Sequence, residues 1–450
     1  MTKTEEDQDI PVDASVPKLT GVFYAWVQVG LNPQMTRENE TLSTPRADHY
    51  ELRVITSENK CPRATYRTPK ENYTFQKMMV RALKSELFPV LTCSLSLDKE
   101  TVKVDVENFT LELKPLNRVN HLGLLGDTGC GECKKPSEWE LQSNAENMRG
   151  DLFIHLGDFV YKKEKGPEKK VEKYADTWKQ WDFEFLNPAQ KLFAKAPLVF
   201  IRGNHESCKA AHEGYRRFFD PWIYVQNDCK VATTSYVFET QSGKFLVVDS
   251  ATAGSIQKDM EKAPYQEAAQ EIVSDFNKFQ NELPTDHTEN YFMLTHRTVW
   301  GCVPIAKGNP TQKVQCFDDG YMFRTEVFNQ TRFDKLRKNI LAVISGHIHL
   351  VSVTSYTDGG PLQIIFGNST KPLHVDFDKE KFALTTRDRT KTSLFYNNNF
   401  PGYGALSPVL GTSEDLWSLE LYKASGEKHK SFNILPKKRS LKKEDFDAGN

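Results

Sequence analysis

The sequence predicts an α/β layered domain preceded by a small all-β sandwich. Three observations lead there. Between about residues 17 and 116, short runs alternate polar and apolar residues or are rich in aromatic and β-branched ones. After about residue 117, short apolar runs each end in a polar turn, most of them with glycine. Helix candidates lie between several of those runs. Alternation marks half-buried strands, and apolar strands separated by helices mark an α/β layer. The chain has 450 residues, enough for two or three domains of roughly 100–200 residues each.

Residues 1–16 are polar with an acidic run and are expected to be a disordered tail. The β region, 17–116, opens with Val22-Phe23-Tyr24-Ala25-Trp26-Val27-Gln28-Val29, an aromatic and β-branched run. Glu51–Ile55, Thr101–Val106 and Thr110–Leu113 are further strand candidates, and strands this short and close suggest a sandwich. Phe75–Leu83 is ambiguous and admits a helix. In 117–425 the apolar runs end in order at Gly126-Asp127, Gly157-Asp158, Gly203-Asn204, Asp249-Ser250, Thr295-His296 and Gly346-His347. Residues 174–195 and 264–281 are helix candidates. Ligands of such sheets sit beyond the carboxyl ends of the strands, so these six ends face one crevice. Residues 426–450, rich in lysine, are expected to be a solvated tail.

With 38% hydrophobic residues, 26% charged residues and a net charge of −1, composition gives no reason to expect nucleic acid or an anionic membrane as partner. No run approaches the ~20 apolar residues of a membrane span. The N-terminal residues lack the basic-then-apolar pattern of a signal peptide. Eight cysteines fall into close sequential pairs, as an oxidising compartment favours. The expected pairing is Cys61–Cys93, Cys130–Cys133, Cys208–Cys229 and Cys302–Cys316, among many connectivities that eight cysteines permit. The expected location is therefore secreted, periplasmic or otherwise extracytoplasmic, with the signal removed; the cytoplasm stays open. Sequons at Asn39, Asn72, Asn108, Asn329 and Asn368 add little.

Five motifs carry chemistry: Gly126-Asp127-Thr128-Gly129, Gly157-Asp158-Phe159-Val160-Tyr161, Gly203-Asn204-His205-Glu206, Leu294-Thr295-His296 and Gly346-His347-Ile348-His349. Each alone has a plain reading as a turn, a cap or a packed side chain. Together, at successive strand ends, they form a set of oxygen and imidazole donors suited to a pair of cations. Two cations about 3.5–4 Å apart clamp an anionic phosphoester and activate a water. A shared carboxylate holds such a pair close, and Asp158 is the candidate.

This set, in this order, resembles the calcineurin-like metallophosphoesterase superfamily over roughly residues 118–370. The tyrosine three residues after Asp158 resembles the purple acid phosphatase branch. Other branches carry a histidine where this chain has Gly129, and Tyr161 is available in its place. The resemblance implies a metallophosphoesterase fold, a two-layered β-sheet sandwich flanked by helices, and a front β domain placed as in the larger purple acid phosphatases. It implies one metal on Asp127, Asp158, Tyr161 and His349, and another on Asp158, Asn204, His296 and His347. Phenolate and carboxylate suit Fe(III); imidazole and amide oxygen suit a divalent Zn, Mn or Fe. His205 is the implied catalytic residue, contacting phosphate and protonating the leaving oxygen. The implied reaction is attack of a metal-bound hydroxide on a phosphomonoester, small-molecule or protein, without a covalent phospho-enzyme. Alternatives are a phosphodiesterase on the same metals and a non-catalytic binding protein stabilised by them.

Of the remaining candidates, His121 and His155 lie in strand runs and read as structural. His212 follows the third motif and is a weaker pocket candidate. Arg202 and Arg297 flank motifs, each able to meet phosphate or a carboxylate. Cys130-Gly-Glu-Cys133 reads as a disulfide before a zinc knuckle. The charged 162–173 loop reads as solvated, and Trp178, Trp181, Phe183, Phe185 and Leu186 read as core.

Overall fold

The computed structural model describes residues 21–31, 44–70, 73–130, 140–161, 163–165, 172–174, 176–241, 243–253, 263–282, 291–299, 301–305, 313–317, 340–356, 360–369, 392–398, 400–409, 416–435 and 440–441. The expected tail at 1–16 lies outside these residues.

Apolar runs at 122, 152 and 198 become three parallel neighbours, Leu122–Leu125, Leu152–His155 and Leu198–Phe200. They sit in an eleven-stranded sheet. A second sheet of eight strands holds Gly243–Val248, Tyr291–Thr295, Ile340–Ser345 and Leu362–Phe366, also mutually parallel.

Strand side chains alternate between faces, so each sheet buries two different cores. Leu122, Leu124, Ile154 and Val199 meet Phe245, Phe292, Ile344 and Ile364 between the sheets. Leu125, Phe153, Leu198 and Phe200 face outward, against the helix Glu140–Asn147 and an aromatic cluster that includes Trp181, Phe185, Phe218 and Phe219. On the far side, Leu246, Val248, Met293 and Val343 pack with Ile272 and Phe279 of the helix Ala263–Glu282. The result is helix, sheet, sheet, helix: the expected two-layered sandwich flanked by helices.

The N-terminal region is all-β, as expected. Its layers, however, are not closed off from the eleven-stranded sheet. Val22–Gly30 pairs in parallel with the 198 strand at Gln28↔Leu198 and then with His49–Thr56. Leu91–Leu97 and Met79–Ala82 continue the sheet to its edge. A separate four-stranded sheet, Thr74–Lys77, Arg63–Arg67, Lys103–Val106 and Phe109–Glu112, sends Ala64, Val104 and Leu111 into the same core. There is a sandwich, and one of its layers is the extension of the eleven-stranded sheet.

Two expectations need correction, and the ambiguous stretch 75–83 is resolved. Residues 75–83 form two short strands around buried Met78 rather than a helix. The helix expected over 174–195 is broken into Trp178–Trp181, a π-turn over Asp182–Leu186, and Gln190–Phe193; Pro188, with no N–H to donate, interrupts it. The tail expected from 426 is in part a strand. Lys428–Leu435 pairs with Trp417–Lys423 and buries Phe432 and Ile434, with Ser440–Leu441 beyond it at the sheet edge. Lysines mask an alternating pattern there. Residues 442–450 lie outside the described residues.

Cys61–Cys93 and Cys208–Cys229 are bonded as expected. Cys130 is also disulfide-bonded, while Cys133 lies outside the described residues. The hairpin Gly301–Ile305 and Lys313–Phe317 sets Cys302 opposite Cys316 in register.

Candidate metal centre

Five strand ends bring the motifs together, three from one sheet and two from the other. The sheets are tied across this point. The His347 amide donates to Asp127 Oδ2 at 2.8 Å, and His296 Nδ1 lies 2.7 Å from the Leu156 carbonyl. A carbonyl only accepts, so Nδ1 carries the proton and Nε2 is turned into the site.

Asp127, Asp158 and His347 have φ of 55°, 60° and 70°. This left-handed region costs a non-glycine residue on the order of 1–2 kcal/mol, though Asp and His tolerate it better than most. Three such residues at one place mark turns held by their surroundings. At Asp158 the holder is Glu206. Its Oε2 accepts from the amides of Asp158 and Gly203, both at 3.0 Å. Its Oε1 accepts from Phe159 at 2.8 Å and Val160 at 3.4 Å. Gly203 has no room for a β-carbon, which would sit 2.2 Å from Asp158 Oδ1.

The side chains meet in two groups. Tyr161 Oη lies 3.1 Å from Asp127 Oδ1, 3.0 Å from His349 Nε2 and 3.2 Å from Asp158 Oδ2. His296 Nε2 lies 3.2 Å from Asp158 Oδ1 and 2.9 Å from Asn204 Oδ1. Asp158, His296 and His347 each bring a ligand atom to within 4.8 Å of the others. Asp158 thus turns one oxygen to each group. His205 flanks them, its ring edge-on to Tyr161 at 4.3 Å and its Nε2 3.9 Å from Asp158 Oδ2. All seven candidate ligands and His205 are brought together.

The electrostatics couple buried acids to imidazoles. Burial opposes ionisation of Asp158, but the surrounding imidazoles, His296 foremost, hold its carboxyl well below the usual range. Burial would lower His296; Asp158 outweighs it and raises the imidazole to about 9. His349 is raised against burial by Asp127. Burial, then Asp127 and Asp158, push the Tyr161 phenol well up. In His205 burial prevails and lowers the imidazole. Burial, then Asp158, raise Glu206 to about 8. Buried oxygens that crowd around protons in this way are satisfied equally by cations, and the donor set fits a pair of them.

Two residues escaped the sequence reading. Glu206 stands inside its motif, where nothing in the sequence marks its role. Glu184, fully buried in the π-turn, accepts from the amides of Tyr161 at 2.9 Å and Cys130 at 3.0 Å, fixing the tyrosine loop. An acidic residue among aromatics was the only signal.

The minor candidates sort themselves. Buried His155 accepts from the Gly157 amide at Nδ1 (3.2 Å), so its Nε2 donates to Thr128 Oγ1 (2.8 Å); it is structural. His121 is exposed just ahead of its strand. His212 is half-buried and opens the helix His212–Phe218. Trp181, Phe185 and Leu186 are core, as expected. Most of the 162–173 loop lies outside the described residues.

A fold of this kind, with such donors at the carboxyl ends of its strands, defines a metal-site protein of the α/β class. Residues 121–351 match the model of the calcineurin-like phosphoesterase family, and the chain belongs to that family. Its members are metal-dependent phosphoester hydrolases with a two-metal centre. No curated protein matches the sequence. Among solved structures, GAP50, the anchor in the inner membrane complex of Plasmodium, is similar at 12% identity with a TM-score of 0.42, covering 70% of this chain and 88% of its own. A single mutant of Vps29 from Entamoeba histolytica is similar at 11% identity with a TM-score of 0.27, covering 70% of this chain and 98% of its own. No helix among the described residues is long and apolar enough to cross a membrane.

Proposed function

We propose that the chain is a binuclear phosphomonoesterase of the purple acid phosphatase type. The observation that carries this reading is the Tyr161 hydroxyl, placed among Asp127, Asp158 and His349 at 3.0–3.2 Å. Asp127, Asp158, Tyr161 and His349 would hold one ion, Fe(III) by donor type; Asp158, Asn204, His296 and His347 would hold a divalent Zn, Mn or Fe. Bound there, the ions would supply positive charge to phosphoryl oxygens and activate a water.

The chain's own residues do the rest. Asp158 joins the two groups through its two oxygens. His296 is held in the tautomer that turns Nε2 to the site, because its Nδ1–H donates to the Leu156 carbonyl. Glu206 and Glu184 fix the loops that carry Asp158 and Tyr161. His205 stands at the edge, 19% exposed, where an imidazole can give a proton to the leaving oxygen. The bonded cysteines support an extracytoplasmic location.

The test pairs metal analysis with turnover of nitrophenyl phosphate and bis-nitrophenyl phosphate by wild type and Asp158→Ala. Wild type is expected to hold two ions and prefer the monoester, and the variant to lose both metal and activity. Turnover by Asp158→Ala at the wild-type rate would defeat the reading. A preference for the bis-ester would favour a phosphodiesterase, and metal binding without any turnover a binding protein.

A further inference from the structure

Among the described residues, the exposed large apolar side chains gather at one rim of the fold. Tyr73, Phe75, Met79, Val80, Leu83 and Leu87 come from a single stretch, and Ile223 and Val225 complete the set. Thr74–Lys77 is the edge strand of the four-stranded sheet, and Met79–Ala82 is the last strand of the eleven-stranded one. Met78 is buried between them, so consecutive strands carry the chain across the edge of the sandwich. Arg81 brings the segment of Ile223 to the same rim. Its guanidinium lies 2.7–3.0 Å from the carbonyls of Arg216, Arg217, Asp220 and Trp222. Met79 is 73% exposed, Leu83 65% and Phe75 62%. Single apolar residues scattered over a surface are ordinary; a gathering of this kind marks a contact face.

The rim is also basic. From 58 to 87 the chain has seven lysines and arginines against three glutamates, a net +4 that the whole-chain charge of −1 conceals. Lys60, Arg63, Arg67, Lys70, Lys77 and Lys84 are exposed. The Arg63 guanidinium lies over the Phe75 ring at 5.0 Å, and that of Arg67 over Tyr73 at 5.9 Å. Apolar side chains ringed by cations match a surface that is anionic outside and apolar within.

An added strand fits worse. It would pair along Met79–Ala82, where the ladder is broken. Val80 stands opposite Cys93 and Ala82 opposite Thr92, which leaves Arg81 as the extra residue of a bulge. Bulges spoil an edge for further pairing. A second copy laid antiparallel about Val80 and Arg81 would also set Lys77 opposite Lys84. A lipid surface needs no register.

We propose that this rim docks on an anionic lipid surface, with Phe75, Met79 and Leu83 entering between headgroups and Lys77 and Lys84 meeting lipid phosphates. The contact is peripheral and crosses no bilayer. It is separate from the metal centre and does not depend on the hydrolase reading.

The experiment sediments the full-length protein with vesicles of phosphatidylcholine alone, and with vesicles holding about one-third phosphatidylserine. Wild type is expected to bind the anionic vesicles at least about 10-fold more tightly, and to be released as salt rises from about 0.1 to 0.5 M. The double variants Met79→Ser/Leu83→Ser and Ile223→Ser/Val225→Ser are each expected to weaken binding about 10-fold. Lys77→Gln/Lys84→Gln is expected to weaken it roughly 10- to 30-fold on anionic vesicles alone. Should one serine pair not fold, the other, from a separate segment, carries the test. Equal binding of wild type to both vesicles, binding to neither, or wild-type binding by the serine pairs that fold overturns the proposal. So does a wild-type dimer, seen by light scattering without vesicles, that the serine pairs dissociate: the face then belongs to a second copy.

Discussion

The ring of Tyr161 occupies the space a side chain at position 129 would need. A β-carbon on Gly129 would lie 2.3 Å from Tyr161 Cδ2 and 2.9 Å from the Phe159 carbonyl. A glycine at 129 and a tyrosine at 161 are therefore one feature, and the phenol reaches Asp127 and Asp158 because the glycine lets the ring pass. Gly129→Ala should push the ring away, at a cost of about 1–3 kcal/mol for overpacking. In oxidised, iron-loaded protein a ferric phenolate absorbs visible light. Tyr161→Phe is expected to bleach that band, and Gly129→Ala to weaken or shift it. A colourless wild type, fully active with only zinc or manganese, would show that the phenol is not an iron ligand.

This pair also marks what was legible in the sequence. Strand ends could be read because each is an apolar run stopped by a polar turn, and the motifs there name their own chemistry. Their convergence depends on two sheets stacking, which no local pattern encodes; it becomes visible only where His347 reaches Asp127 across the layers. Arg202 and Arg297 looked alike for the same reason: that Arg202 Nη2 meets Asp249 at 2.8 Å, while Arg297 Nη1 lies 3.1 Å from His347 Nε2, depends on the register of neighbouring strands. Glu184 was hidden because the π-turn that aims it replaces an expected regular helix. The strand at Lys428–Leu435 was hidden by its lysines, because only Ser431 and Asn433 alternate with buried Phe432 and Ile434.

Glu206 shapes the Asp158 turn through both carboxylate oxygens, which receive four backbone amides between them. Glutamine keeps the size but turns one oxygen into a donor that faces amide donors. Glu206→Gln is therefore expected to cost about 1–3 kcal/mol of stability, the penalty for buried groups left unmatched. It should also weaken divalent-metal binding about 10- to 100-fold, as losses behind a ligand do. Urea unfolding and metal calorimetry on the same preparation read both. Wild-type values in both measurements would mean that Asp158 holds its φ of 60° without Glu206.

His155 gives the metal-free fold an acid-sensitive point directly behind the turns that carry Asp127 and Asp158. It is fully buried, stacked on Phe159 at 3.9 Å, and its two nitrogens are committed to Gly157 and Thr128 in the neutral form. Burial first, and then the charge of His296, hold its pKa well below 6.5. In the unfolded chain the same ring takes up a proton near pH 6.5. Its folded pKa is thus depressed: the stability it contributes is fully present above about pH 6.5 and is lost as pH falls below that, at no more than about 1.4 kcal/mol per pH unit for one proton. Urea midpoints of metal-free protein at pH 7.5, 6.5 and 5.5 carry this decline against the opposite contributions of Glu206, His296 and His349, whose pKa values are raised, so the His155 share is read from the difference between wild type and a variant. His155→Leu loses two hydrogen bonds and starts lower, but it has no proton to take up, so its decline over that interval should be shallower. Parallel declines would place the acid sensitivity in other groups and leave His155 a packing residue alone.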